Sequence, residues 1–150
     1  MKVKKHFTLL FYFFLFVCLF SSCDKDDEII PYVHINRYPI NLNVANELTV
    51  TGNCVLVSEI GFAGVLVYCS YYDVVNPSQS VYYAYDAACT VEISDTCSVV
   101  PAESGMTATC PCCGSSYYLN SMGTPFEGDA LEPLKMYNTT VQNNVLYIYN

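Results

Sequence analysis

The chain has 150 residues, 53% of them hydrophobic and only 13% charged, with nine cysteines, 14 tyrosines and no tryptophan. Six basic side chains face 14 acidic ones, a formal net charge of −8. Without a basic stripe to neutralise phosphates, nucleic acid is set aside as a partner, and the length supports one domain.

Lys2, Lys4 and Lys5 precede an apolar run from Phe7 to Phe20 that ends at Ser21-Ser22-Cys23. A charged head, an apolar core and a small-residue cleavage site make residues 1–22 an expected export signal. The run has 14 residues, short of the roughly 20 that a membrane-spanning helix needs. Leu19-Phe20-Ser21-Ser22-Cys23 resembles a bacterial lipobox, with Phe20 where an aliphatic residue is usual. That resemblance implies lipid on Cys23 and a membrane held through it. Asp24-Lys25-Asp26-Asp27-Glu28 is similar to the acidic tether of Bacteroidetes lipoproteins passed to the outer face of the outer membrane. The expected organisation is therefore a signal over 1–22, a lipidated tether over 23–30 and one domain over 31–150. After the signal, Lys25, Arg37 and Lys135 remain against 14 acidic groups, a formal net charge of −11.

In chain order, residues 32–42 read as a first strand in which Pro39 favours an edge or a bulge. Residues 43–47 suggest a turn or one short helical turn. Residues 55–60 and 64–71, rich in Val and Leu and parted by Gly61 and Gly64, predict two strands. Cys54 and Cys69 stand at their outer ends, and if the strands are antiparallel neighbours a disulfide between them is expected. Asn76-Pro77-Ser78 marks a loop, and residues 81–86 a strand that delivers Cys89 to a loop start. Short strands follow near 97–100, 106–109 and 116–119, then a glycine-bearing loop over 122–128. Residues 134–141 and 145–149 close the domain around Asn143-Asn144. No 11-residue window beyond the signal has helical periodicity, so the class is all-β. The tyrosines suit half-buried strand faces.

Five cysteines lie between residues 89 and 113: Cys89, Cys97, Cys110, Cys112 and Cys113. Pro111 and Gly114 set up a tight turn that gathers the last three. Either such thiols hold a metal, or an exported chain pairs them as disulfides. With Cys23 set aside for lipid, seven cysteines remain beyond the signal, an odd number that leaves at least one unpaired within the chain.

Cys110-Pro111-Cys112-Cys113-Gly114-Ser115 resembles the second cluster-binding loop of Rieske iron-sulfur domains, Cys-Pro-x-His-Gly-Ser. Cys89-Thr90-Val91 stands in the place of the first loop, Cys-x-His, and residues 128–134 are similar to the family's glycine-proline-alanine loop. The resemblance covers residues 31–150, most specifically from 81 onward. It implies a Rieske-like fold of small antiparallel sheets with a cysteine-bearing loop subdomain. It places Cys89 and Cys110 at the cysteine ligands, and Val91 and Cys113 where the histidines belong. Val91 cannot ligate, and His34 is the only histidine beyond the signal, so the histidine-ligated cluster is excluded.

Three alternatives remain. Cys89, Cys97, Cys110 and Cys113 can converge as a four-thiolate site for Zn or a plant-ferredoxin-like [2Fe-2S] cluster. Alternatively the family's inter-loop disulfide is kept, with Cys112 at the matching position and Cys97 as its displaced partner, or Cys89 or Cys97 pairs with Cys110 or Cys113. Thiol exchange through Cys110-x-x-Cys113 is the third, without the helix that usually activates such a thiol. No catalytic motif of the hydrolase, zinc-protease or nucleotide-binding kinds is present. The expected function is thus a non-enzymatic, surface-exposed envelope lipoprotein whose cysteine loops form a metal or disulfide clasp. The rival is electron transfer through an all-cysteine [2Fe-2S] cluster.

Overall fold

A computed structural model describes residues 29–150. The signal, Cys23 and the acidic tether through Glu28 lie outside the described residues. Among those described, no helix is long and apolar enough to cross a membrane.

Ten strands run β1 (Tyr38–Asn41), β2 (Cys54–Val57), β3 (Val65–Tyr71), β4 (Val81–Asp86), β5 (Val100–Pro101), β6 (Thr107–Thr109), β7 (Ser116–Tyr118), β8 (Thr124–Glu127), β9 (Met136–Gln142) and β10 (Val145–Tyr149). Two 3-10 turns, Asn46–Thr49 and Pro77–Gln79, are the helical segments. The strands form a six-stranded sheet in the order β1-β10-β9-β4-β3-β2 and a four-stranded sheet in the order β5-β6-β7-β8. Every pairing is antiparallel. The fold is all-β, as the sequence implied.

Local chemistry explains most of these elements. In β3 the apolar run Val65-Leu66-Val67-Tyr68-Cys69 is buried throughout, because the strand is central and covered on both faces. Leu66 and Tyr68 enter one core with Tyr85, Cys89, Cys110, Tyr117 and Leu119. Val65, Val67 and Cys69 enter the other, with Tyr82, Ala84, Leu146 and Ile148. Asn143 and Asn144 take φ of 51° and 61°, the paired left-handed geometry of a two-residue hairpin between β9 and β10. Pro39 sits in β1, an edge strand bonded only to β10, where a missing N–H does no harm.

Two expectations are corrected. Cys54 pairs with Tyr68 across β2 and β3, not with Cys69. One residue of register reverses the face, so Cys54 packs against the first core and Cys69 inside the second, and both thiols are free. Residues 122–128 are not all loop, since β8 occupies Thr124–Glu127. The flanking Gly123 and Gly128 read as a loop, yet β8 between them is an edge strand, which also tolerates its Pro125. Its Phe126 stacks on Tyr118 of β7 with ring centroids 4.0 Å apart.

Asp86, wholly buried at the end of β4, joins the six-stranded sheet to the loop that carries Cys89. Its carboxylate accepts the N–H groups of Phe62 (2.6 Å), Ala63 (3.2 Å) and Ala88 (2.9 Å), and the hydroxyl of Tyr137 (2.7 Å). These bonds fix the β2–β3 connection and the stretch that carries Cys89 out of the sheet. The sequence showed only an acid ending a strand.

Candidate metal centre

Three loops meet above the four-stranded sheet. The first leaves β4, where the Ala87 N–H donates to Gly64 O at 2.9 Å and the Val99 N–H donates to Ala87 O at 2.7 Å. This holds Cys89 at the mouth of the first core. The second loop, residues 110–115, turns between β6 and β7. Its ends are tied by the Cys110 N–H to Ser115 O (2.8 Å), and the Gly114 N–H closes onto Cys110 O (2.9 Å). Gly114 has φ of 78° with open space beside it, so glycine is needed there for backbone conformation.

The third loop follows β8 and is pinned from below. The wholly buried Ser115 accepts the N–H groups of Asp129 and Ala130 on its Oγ, each at 3.2 Å. A Cβ at Gly128 would stand 2.6 Å from Ser115 Cα, so the two loops approach this closely only because that residue is glycine. The Thr90 hydroxyl donates to Glu132 O at 3.0 Å and ties the third loop to the first.

The sulfurs fall into a pair and a trio. Cys97 and Cys112 form a disulfide with Cα atoms 6.5 Å apart. Cys97 is therefore not a free member of the expected four-thiolate set, because its sulfur is already bonded. Cys89, Cys110 and Cys113 are free thiols whose sulfurs all lie within 4.8 Å of one another. Cys89 Sγ is 3.4 Å from Cys113 Sγ, and Cys110 Sγ is 3.7 Å from Cys97 Sγ. Cys89 and Cys110 are fully buried, Cys113 is half-buried and Cys112 is exposed.

Tyr117 governs the electrostatics from below, and no sequence motif announced it. Its hydroxyl lies 3.5 Å from Cys89 Sγ and 3.0 Å from Thr90 Oγ1, and it accepts the Thr90 N–H at 3.3 Å. Burial opposes ionisation of Cys89 and is the largest single effect. Hydrogen bonds from Tyr117, from the N–H groups of Glu92 and Val91, and from Cys113 together outweigh it and bring the thiol down to about 7. Burial dominates at Cys110 and pushes it up to about 11, against the N–H groups of Cys113 and Cys112. Burial also raises Tyr117 to about 12, helped by its bond to Cys89. The pocket thus presents one thiol that ionises more readily than usual and one that a cation must help to deprotonate.

The donor set does not fit a histidine-ligated cluster. Val91 is 41% exposed and has no ligand atom. His34 lines a separate cleft with Arg37, Thr140, Gln142 and Tyr149. What converges is sulfur only, suited to soft cations.

No protein-family model matches the chain, and a search of curated proteins finds no match. Solved structures do match. The cyanobacterial plasma-membrane Rieske protein of Synechocystis PCC 6803 is 19% identical with a TM-score of 0.52, covering 77% of this chain and all of that one (100%). The ferredoxin of Sphingomonas yanoikuyae B1 is 17% identical with a TM-score of 0.48, covering 77% of this chain and 99% of its own. A chain in the complex of reduced oxygenase and oxidised ferredoxin of carbazole 1,9a-dioxygenase is 21% identical with a TM-score of 0.43, covering 66% and 82%. At 19% identity the likeness to the Synechocystis structure shows architecture alone. The fold is Rieske-like, and at the two positions where the resemblance places histidines this chain has Val91 and Cys113.

Proposed function

We propose that the domain is a non-enzymatic module of the cell envelope, anchored through lipid on Cys23, whose thiol pocket holds one thiophilic ion of the Zn(II) type as a clasp on the cysteine loops. The observation that carries the metal clasp is the mutual approach of Cys89, Cys110 and Cys113 within 4.8 Å. Metal–sulfur bonds of about 2.3 Å in a tetrahedron set sulfurs roughly 3.8 Å apart, so little rearrangement is required. When bound, such an ion supplies charge that stabilises all three thiolates, and Cys110 gives up its proton on binding. Tyr117 and the first-loop N–H groups ease the ionisation of Cys89 beforehand, while Ser115 fixes the loop that presents Cys113.

Native mass spectrometry and elemental analysis of the purified protein test this. One zinc per chain, lost in Cys89→Ala or Cys113→Ala, is the expected outcome. Protein that binds no zinc at micromolar concentrations would sink it. The lipid anchor rests on Lys2 to Cys23 of the sequence. Cys23→Ala should move the protein from the membrane to the soluble fraction, and continued sedimentation with membranes would count against that anchor.

A second function, electron transfer through an all-cysteine two-iron cluster, is favoured by one observation. Cys97 Sγ sits 3.7 Å from Cys110 Sγ, so a fourth thiolate is at hand if the disulfide is reduced, on a scaffold of Rieske type. Anaerobic purification distinguishes the two. About two irons and two labile sulfides per chain establish the cluster, and colourless zinc protein rejects it.

A further inference from the structure

Cys110 belongs to two groups of sulfurs at once. It lies within 4.8 Å of Cys89 and Cys113, and also of Cys97 and Cys112, which are bonded to each other. The two halves of that disulfide differ in access: Cys97 is 7% exposed and sits in the core cluster with Cys89 and Cys110, whereas Cys112 is on the surface. A staple meant only to hold two loops together does not need its inner sulfur beside a metal-binding trio. Cys97 Sγ stands 3.7 Å from Cys110 Sγ, close to the separation of two sulfurs on one tetrahedral ion, roughly 3.8 Å.

We propose that the Cys97–Cys112 disulfide is a redox gate on the thiol pocket. Oxidised, it leaves three ligands and an open fourth position; reduced by an external dithiol, it releases Cys97 as the fourth ligand. The chemistry is thiol–disulfide exchange. A thiolate of the dithiol attacks the accessible Cys112 Sγ, forming a mixed disulfide, and the Cys97–Cys112 bond breaks with Cys97 leaving as thiolate. The second thiol of the reductant then attacks its own sulfur in the mixed disulfide, closing the reductant's disulfide and freeing Cys112. Two electrons pass from the dithiol to the protein disulfide. The two protons end on Cys112 and Cys97, or in solvent where Cys97 binds the ion. The gate rests on the pocket being a metal site, and its failure is separable from the failure of that site.

Cobalt(II) is the probe, because its sulfur-to-metal charge-transfer and ligand-field bands report how many thiolates it has. The purified protein is titrated with cobalt and zinc against a chromophoric chelator, first with the disulfide intact and then after reduction with a phosphine. Losing even a group outside the coordination shell commonly lowers affinity about 10–100-fold, so reduction should tighten binding by at least about tenfold and shift the cobalt spectrum from three thiolates to four. Two variants remove the staple equally but differ in the thiol that stays. Cys112→Ser should show the four-thiolate spectrum without reductant, and Cys97→Ser the three-thiolate spectrum with or without it. Equal affinity and an unchanged spectrum in oxidised, reduced and Cys112→Ser protein would overturn the gate and leave the three-thiol site standing. Absence of cobalt bands in every form would overturn both.

Discussion

The six-stranded sheet and the four-stranded sheet are built on different physics. In the larger, β3 and β9 have seven residues each and β4 has six, and side chains from both faces of β3 fill two apolar cores. In the smaller, β5, β6 and β7 have two, three and three residues, too short for ladder bonds and side-chain burial to hold alone. That region relies on cross-links: the disulfide, the Ser115 hydroxyl under the third loop, and the Thr90–Tyr117 pair. The cysteines divide likewise. Cys54 and Cys69 behave as small apolar side chains of the sheet, and burial pushes the Cys54 thiol up to about 12. The loop cysteines meet one another.

The largest break should come at the joint. Asp86→Ala removes the acceptor of two buried N–H groups, of the part-buried Phe62 N–H and of the Tyr137 hydroxyl, and hydrogen bonds to a charged group contribute about 1.5–3 kcal/mol each. We expect a loss of at least about 3 kcal/mol by denaturant unfolding, with both regions affected together. A loss under about 1 kcal/mol would mean that the joint is held elsewhere.

Removing the staple should separate the regions instead. Cys97→Ser with Cys112→Ser opens a link of sequence separation 15, for which constraint of the unfolded chain is worth about 3 kcal/mol. Amide exchange should quicken in β5, β6 and β7 while β3 and β4 stay protected. Uniform loss of protection would show one cooperative unit and erase the contrast.

How much of this was legible in the sequence follows from the same division. Runs such as Val65-Leu66-Val67-Tyr68-Cys69 and the Asn143-Asn144 turn announce themselves, because apolar patterning and turn chemistry are local. Register is not local, and a slip of one residue was enough to join Cys54 to Cys69 on paper while the fold sends them to opposite faces. The cysteine loops were found through resemblance to a known pair of loops, which located Cys89, Cys110 and Cys113 but left open which sulfurs pair. Tyr117 and Asp86 carry no local signal: a tyrosine among 14 and an acid at a strand end acquire their roles chiefly from distant partners, Thr90 at 27 residues from Tyr117 and Ala63 and Tyr137 at 23 and 51 residues from Asp86. The flanking Gly123 and Gly128 hid β8, since glycines read as a loop although the strand between them is an edge.

Smaller substitutions sharpen the division among cysteines. Cys69→Ala, deep in the second core, should cost about 1 kcal/mol as a lost apolar side chain and leave zinc stoichiometry at that of the unmodified protein. Cys89→Ala should cost a similar amount in the metal-free protein but abolish tight zinc binding. If both variants bind zinc equally, the trio is not the site.

The smallest effect is the most specific to the loop region. Tyr117→Phe removes the largest of the hydrogen-bond effects that bring Cys89 down to about 7, so its thiol should titrate higher in the metal-free protein. Followed by thiolate absorbance in the ultraviolet on a Cys110→Ser, Cys113→Ser background, the Cys89 midpoint should rise by about one unit, a little over 1 kcal/mol. A depressed thiol binds fewer protons folded than unfolded as pH passes from about 7 toward the ordinary thiol range near 8.5. Its contribution to stability therefore grows across that window and vanishes below it. Tyr117→Phe should flatten that rise. If the Cys89 midpoint and the slope of stability with pH both stay where they were, the hydroxyl is a bystander and the first-loop N–H groups alone set the charge of the pocket.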